Sequence, residues 1–427
     1  MIQLIRGFKD ILPGEVELWQ EVEKTAVKLF EDFGFTEIRV PLMERTELFA
    51  RSIGEATDIV EKEMYTFADR KGDLITLRPE ATASVVRAYI QHKLYAADPV
   101  RKFYTIGPMF RRERPQKGRY RQFYQINAEV FGVASPAMDA QLIYLLMTLL
   151  SNLSVPDITA HINSLGCPEC RPGFKEALFA YSEKAGDRFC EDCTRRRAQN
   201  PLRLLDCKVP TCREAMKDAP SLSNYLCADC RSHFEAVKAH LSEVNVPFEI
   251  DKCLVRGLDY YTRTTFEIQT GALGAQNAVA GGGRYDGLVQ ALGGPETPAI
   301  GFAIGFDRLT EITDLRNRDH GRVPDVFIVA MGDECRNRAF SWSCELSKAG
   351  VRTEMDFSGR SLKALMKRAG RMNARYVLIF GESELLGNVA LLRNMASSDQ
   401  VAISLDKIVS KITKKVLSSP KKGTISD

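Results

Sequence analysis

Phosphate chemistry is the first suggestion of this chain. From Arg111 to Arg121, in Phe110-Arg-Arg-Glu-Arg-Pro-Gln-Lys-Gly-Arg-Tyr-Arg121, six basic residues and one acid give a net +5 over eleven positions. That density costs self-repulsion unless an anion is held there. An arginine fork offers two parallel donors to phosphate oxygens and stays charged. Taken alone, the run also fits a solvated basic hairpin. In Leu77-Arg-Pro-Glu-Ala-Thr82 a carboxylate and a hydroxyl stand two apart, just past a strand and at a helix start. The plain alternative is a helix N-terminus favoured by an acidic residue. Ala299-Ile-Gly-Phe-Ala-Ile-Gly-Phe-Asp-Arg308 spaces two glycines four apart before an acid–arginine pair. It predicts an apolar helix after Ala299 that approaches a sheet or nucleotide closely at Gly301 and Gly305, although such spacing also serves plain helix packing.

Sulfur makes a second constellation. Eight of the eleven cysteines fall between Cys167 and Cys230, as Cys167-x-x-Cys170, Cys190-x-x-Cys193, Cys207-x₄-Cys212 and Cys227-x-x-Cys230. Pairs at this spacing are those of structural zinc sites, and four pairs make up to two tetrahedral centres. One or two structural Zn²⁺ ions are expected, with Cys190, Cys193, Cys227 and Cys230 as ligands, folding the segment and doing no chemistry. Free thiols in a reducing compartment are the alternative. Arg195-Arg-Arg197 in the same segment suggests either a nucleic-acid contact or a solvated helix face. The five histidines show no ligand spacing.

These residues need elements to position them. Val16, Trp19, Val22, Ala26, Leu29 and Phe30 recur at helical spacing over Glu15 to Phe33, ended by Gly34. A short strand, Phe35 to Val40, closes at Pro41, and Tyr65 to Ala68 with Asp73 to Leu77 reads as a hairpin around Arg70-Lys71-Gly72. A helix is expected over Thr82 to Leu94. Strands follow over Lys102 to Phe110 and Gln122 to Val130, joined by the basic loop. Strand texture resumes at Cys253 to Tyr261 and Thr265 to Thr270, then runs into Ala280-Gly-Gly-Gly283. Antiparallel strands with helices packed on them make an α+β catalytic domain in two parts, 1–160 and 249–318, interrupted by a helical cysteine-rich insertion over 161–248. Charged Asp314 to Arg322 reads as a linker. Beyond it, strands at Asp325 to Met331, Val351 to Met355 and Tyr376 to Phe380 alternate with helices at Cys335 to Ala349 and Ser361 to Asn373, which predicts a separate α/β domain over 323–427.

With 427 residues, 44% hydrophobic and 27% charged, the chain has the composition of a multidomain globular protein. No apolar run reaches the roughly 20 residues of a membrane helix. Met1-Ile-Gln-Leu-Ile-Arg-Gly-Phe-Lys-Asp10 lacks the apolar stretch and cleavage site of a secretory signal, so a cytoplasmic location is expected. A net charge of +4 is too small to announce a nucleic-acid partner by itself.

Pro41 after its helix–strand, Phe110-Arg-Arg-Glu113 and Gly301-x-x-x-Gly-Phe-Asp-Arg308 resemble the three signatures of class II aminoacyl-tRNA synthetases. Within that class, Arg256-Gly-Leu-Asp-Tyr-Tyr-Thr262 is similar to the peptide that marks the histidyl-tRNA synthetases. Gly281-Gly-Gly-Arg-Tyr-Asp286 and Arg6-Gly-Phe-Lys-Asp-Ile-Leu-Pro13 fit the same family. The resemblance implies a class II antiparallel-sheet catalytic domain, an α/β anticodon-binding domain and a homodimer. It implies ATP-dependent activation of L-histidine and transfer to tRNA(His), with Mg²⁺ on the phosphates. Arg111, Arg256 and Arg308 become the catalytic cations, with Glu113 also at ATP. Glu129 and Tyr261 become the imidazole readers. Glu80, Thr82 and Gln125 engage the amino-acid backbone, together with Arg111 and Arg256, while Tyr260 and Tyr285 wall the pocket. A non-catalytic paralogue, the regulatory subunit of ATP phosphoribosyltransferase, is the main rival. Arg111, Arg256, Arg308 and the terminal α/β domain all argue against it. A class II synthetase for another amino acid is a second rival, opposed by Arg256 to Thr262.

Overall fold

The structure, a computed structural model, describes residues 1–54, 57–116, 118–273, 277–317 and 323–418. Lys117 of the basic run and residues 318–322 of the expected linker lie outside the described residues. Two compact units divide the chain, Met1–Asn317 and Arg318–Asp427.

In the first unit the strands are β1 (Thr36–Glu37), β2 (Met43–Arg45), β3 (Tyr65–Ala68), β4 (Leu74–Leu77), β5 (Arg101–Phe110), β6 (Gln122–Phe131), β7 (Ile158–Ser164), β8 (Phe248–Ile250), β9 (Thr262–Thr270), β10 (Ala278–Arg284) and β11 (Ala299–Gly305). Eight of them form one sheet in the order β1-β5-β6-β11-β10-β9-β7-β8, and β2-β4-β3 form a small one. In the large sheet the two outermost pairs are parallel and the rest antiparallel. One face of it is covered by helices Val16–Asp32, Pro136–Asn152 and Ala228–Glu243, with Trp19, Phe30, Leu142, Leu146, Val237 and Phe302 in the shared core. The expected helix, hairpin and basic-loop strands are all present, within a few residues of the expected bounds.

Three expectations change. Ala299–Gly305 is a strand, not a helix, and the helix starts only at Phe306. Two glycines four apart satisfy either geometry, and here the cross-strand neighbour needs the room: a Cβ at Gly301 would sit 1.7 Å from Glu129 Oε2. Cys253 to Tyr261 is turn and irregular backbone, with the strand starting at Thr262. Side chains rather than a neighbouring strand hold its carbonyls, as described below. The insertion is narrower than 161–248. β7 and β8 pair within the sheet, and Phe234, Val237 and Leu241 of the returning helix lie in the main core. Between them, residues 165–227 form helices and turns and no strand among the described residues, the longest helix being Arg171–Lys184.

The second unit has β12 (Val326–Ala330), β13 (Thr353–Met355), β14 (Tyr376–Phe380), β15 (Val389–Asn394) and β16 (Gln400–Ser404) in the order β13-β12-β14-β15-β16. The alternating strands are parallel as their helical connections require. Two antiparallel strands that the sequence reading did not anticipate extend the sheet. Among the described residues no helix is long and apolar enough to cross a membrane.

Candidate active site

A cleft of about 300 Å³ opens on the sheet, lined by residues of β6, β9, β10 and β11 and by the loops beside them. It brings together Glu80, Thr82, Arg111, Glu113, Gln125, Arg256, Tyr260, Tyr261, Tyr285 and Arg308. Glu129 adjoins it through hydrogen bonds to Thr82 and Tyr285. Thus segments more than two hundred residues apart in sequence converge, and the charges separate into two regions.

The carboxylate region comes from β6 and the start of the helix Thr82–Gln91. Glu129 lies on β6, opposite Gly301, and is 2% exposed. Its Oε1 accepts from Thr82 Oγ1 at 2.6 Å and its Oε2 from the Tyr285 hydroxyl. Burial pushes this carboxyl up to about 8, against the two donated hydrogen bonds, and neighbouring Glu80 adds to the rise. Glu80 accepts from the backbone N–H groups of Thr82 (2.7 Å) and Ala83 (2.9 Å). It therefore does stabilise a helix start. Burial nonetheless raises its pKa, because those N–H groups only partly offset desolvation. Two neighbouring buried carboxyls, both with raised proton affinity, suit a ligand that brings positive charge. Gln125 Oε1 is buried without a hydrogen-bond partner among the described residues.

Tyr260, Tyr261 and Tyr285 form the aromatic wall. Tyr260 meets Tyr285 edge-on at 5.6 Å and Tyr261 at 4.7 Å between ring centres. Burial raises all three phenols, so each hydroxyl keeps its proton as a donor.

The cationic region holds Arg111, Arg256 and Arg308. Arg111 donates to Pro79 O at 2.9 Å and lies over the Phe123 ring. Those contacts fix its guanidinium plane while leaving an edge toward the cleft. Arg256 Nη1 donates to Glu267 Oε1 at 2.9 Å, and its Nε is buried without a hydrogen-bond partner among the described residues. A Cβ at Gly281 would lie 2.5 Å from Arg256 Nη1, so the glycine run makes room for this cation. Arg308 donates to Ala278 O at 2.9 Å and Gly118 O at 3.3 Å, and burial lowers its pKa without threatening its charge. Glu113 faces Arg119 at 3.3 Å and Arg111 at 3.9 Å.

Glu267, Phe123 and Asn127 line the cleft without having been singled out from the sequence. Alternation along Thr-Thr-Phe-Glu-Ile-Gln puts Thr265, Glu267 and Gln269 on one face of β9, and an acid set among the apolar residues Phe266 and Ile268 was the available signal. Arg284, the last residue of β10, is structural: fully buried, it donates to Asp139 at 2.8 Å and Asp286 at 3.0 Å. Arg195 and Arg196 pair with Glu61 and Asp58. The chain itself thus supplies partners for these candidate nucleic-acid contacts.

The cysteines form two quartets, Cys167–Cys170–Cys227–Cys230 and Cys190–Cys193–Cys207–Cys212. The expected set of Cys190, Cys193, Cys227 and Cys230 is split between them. The insertion leaves and returns at the same edge of the sheet, so its outermost pairs meet at the base. Its inner pairs then meet each other.

A family model of histidyl-tRNA synthetases matches residues 7–309, and one of anticodon-binding domains matches residues 325–415. The chain is 62% identical over 412 residues to a histidine–tRNA ligase of Desulfatibacillum aliphaticivorans, covering 96% of this chain and 98% of that one. It is 61% identical over 428 residues to a histidine–tRNA ligase of Desulforapulum autotrophicum, covering both chains in full. Its fold is similar to the crystal structure of apo histidyl-tRNA synthetase from S. aureus, with a TM-score of 0.82, 34% identity and coverage of 97% of this chain and 100% of that one.

Proposed function

The chain belongs to the histidyl-tRNA synthetase family, and on that premise we propose how its residues divide the work of activating histidine. It is a histidine–tRNA ligase. A carboxylate oxygen of L-histidine attacks the α-phosphorus of ATP, the bond from that phosphorus to the bridging oxygen breaks, and pyrophosphate leaves. The 3′-terminal ribose hydroxyl of tRNA(His) then takes the histidyl group, and AMP leaves.

The observation that carries the assignment of roles is the division of one cleft between buried carboxyls and fixed guanidinium groups. In-line displacement at phosphorus asks for positioning and charge stabilisation rather than a covalent catalyst. Arg111 and Arg256 come from different segments and flank the place of the α-phosphate, where negative charge grows. Arg308 takes the γ-phosphate, and Glu113 the ATP side of the cleft. Glu113 and Glu267 line the cleft beside these arginines, and their oxygens fit a hard cation carried in with the phosphates. Mg²⁺ held there would neutralise phosphate charge.

At the other end, Glu80 and the orphaned Gln125 oxygen receive the α-ammonium group. Glu129, aimed by Thr82 and Tyr285, accepts from an imidazole nitrogen, and Tyr261 addresses the other. Thr82, which orients Glu129 by its hydroxyl, stands with Glu80 and Gln125 at the amino-acid backbone. Tyr260 and Tyr285 confine the ring. An analogue lacking the ring nitrogens would leave buried Glu129 with only its Thr82 and Tyr285 donors and without the ligand donor its remaining lone pairs call for, the arrangement that gives discrimination. The cysteine-rich insertion holds structural metal, and the second unit reads tRNA(His). We further propose a homodimer working in the cytoplasm; a monomeric mass by light scattering at micromolar concentration would count against the dimer. The rival, a regulatory subunit of ATP phosphoribosyltransferase, is opposed by full-length relatives named as ligases and by three arginines in one cleft.

Amino-acid-dependent exchange of pyrophosphate into ATP tests the reading. Histidine alone should stimulate exchange. Stimulation by another amino acid, or by none, would overturn it.

A further inference from the structure

We propose that the two cysteine quartets are two Zn²⁺ sites, each of which braces one end of the Arg256–Tyr261 peptide through an arginine, Arg171 from the first and Arg203 from the second. This goes beyond a metal that merely folds the insertion, and it rests on the ligase reading above.

The sulfur geometry comes first. All four Sγ atoms of each quartet lie within 4.8 Å of one another. Individual separations are 3.5 Å for Cys167 and Cys170, 4.0 Å for Cys167 and Cys227, and 3.9 Å for Cys190 and Cys207. A tetrahedral ion with Zn–S bonds of about 2.3 Å places its sulfurs about 3.8 Å apart. Backbone N–H groups point at the sulfurs: Cys227 N at Cys170 Sγ and Cys190 N at Cys212 Sγ, both 3.2 Å. Such donors are the outer partners that orient a thiolate ligand. All eight cysteines are free, and five of the thirteen buried residues in the insertion's core are cysteines. Two small sulfur clusters at the centre of short helices give little apolar burial unless an ion binds them together.

The second observation is where the chain goes next. Arg171 directly follows the ligand Cys170. Its Nε donates to Leu165 O at 3.3 Å and its Nη2 to Tyr261 O. Arg203 stands four residues before the ligand Cys207 and donates from Nη1 to Arg256 O at 3.0 Å. Asn200 Nδ2 reaches Asp259 Oδ1 at 3.0 Å between them. Tyr261 itself belongs to the insertion's core. The peptide between Arg256 and Tyr261 is not part of any strand, so no sheet ladder fixes it. Its two end carbonyls are the ones the two arginines hold, and its two end side chains are a phosphate-side cation and an imidazole reader. Arg171 and Arg203 are thus positioning residues, and the ions fix them from behind the cleft. The ions do no chemistry on the substrates.

The test uses the full-length protein purified without added zinc. Elemental analysis should find two zinc ions per chain, falling to one in Cys207→Ser. Arg171→Ala and Arg203→Ala should keep both ions and fold cooperatively. Each should raise the histidine KM in pyrophosphate exchange by about tenfold while changing kcat much less, because the lost interaction orders a binding element. Arg203→Lys, which retains a donor of the same charge, should recover part of the loss. Fewer than two zinc ions in folded, active protein overturns the metal sites. Two ions with wild-type histidine KM in both alanine variants overturns the brace and leaves the ions standing. Absence of histidine-dependent exchange in the wild type instead defeats the ligase reading beneath both.

Discussion

The eight-stranded sheet and the insertion over 165–227 reach order by different physics. Around the sheet, Phe30 stacks on Tyr104 at 5.1 Å and three helices bury a continuous apolar layer. Nonlocal strand pairing there fixes Glu129, Glu267 and Gly301 to within a register step. The insertion has no strand among the described residues, short helices and a core rich in sulfur. It nevertheless holds the ends of the peptide that presents Arg256 and Tyr261. The groups that make phosphate chemistry possible thus stand partly on a rigid sheet, whereas the peptide joining cation and imidazole reader depends on a segment with little apolar core of its own.

Substitutions on the two sides should separate chemistry from support. Arg256→Ala should lower histidine-dependent exchange by on the order of 10³-fold, the scale of a lost donor to developing charge. Its melting temperature should hardly move, since its carbonyl rather than its guanidinium anchors the backbone to Arg203. Near-normal exchange would remove Arg256 from the chemistry. Phe30→Ala should do the opposite, costing about 3 kcal/mol in denaturant unfolding through a cavity in the sheet's core, while the histidine KM of the folded enzyme stays put. A shifted KM would mean that the sheet is less rigid than argued.

Glu129→Gln should raise the histidine KM by roughly tenfold or more, because an amide accepts more weakly than a carboxylate. The same variant tests the pKa. In the ligand-free fold this carboxyl titrates near 8 rather than near 4.5. The fold therefore binds a proton that the unfolded chain has released, and its stabilising contribution, complete below about pH 4.5, is lost as pH rises through about 8. The ligand-free wild type should lose melting temperature between pH 5 and 8 more steeply than Glu129→Gln, and equal slopes would refute the shift. Smallest of all, Arg195→Ala should cost under about 1 kcal/mol, since its pairing with Glu61 is partly exposed. A larger loss in thermal melting would show that the insertion is tied to the sheet by charge as well as by the brace.

Much of this was legible in the sequence because local pattern and nonlocal partner agreed. The helix Val16–Asp32 and strands β5 and β6 declare themselves by period, and the basic run between those strands marks the phosphate end of the cleft. The failures share a cause: their conformation is set by a partner distant in sequence. Ala299–Gly305 reads equally well as helix or strand until Glu129 appears opposite Gly301. Arg256 to Tyr261 has the apolar and aromatic texture of a strand, but arginines from 171 and 203 replace the ladder. The partition of the cysteines follows from where the insertion enters and leaves the sheet, which spacing alone does not encode. Roles for Glu80 and Gln125 came from the family resemblance, and their burial supplies a physical reason for them.

A crystal structure with L-histidine and a non-hydrolysable ATP analogue bound together tests the division of the cleft most directly. The account predicts the imidazole between Glu129 and Tyr261, the ammonium group at Glu80 and Gln125, and the α-phosphate between Arg111 and Arg256. An imidazole bound away from Glu129, or an α-phosphate out of reach of either arginine, would contradict it.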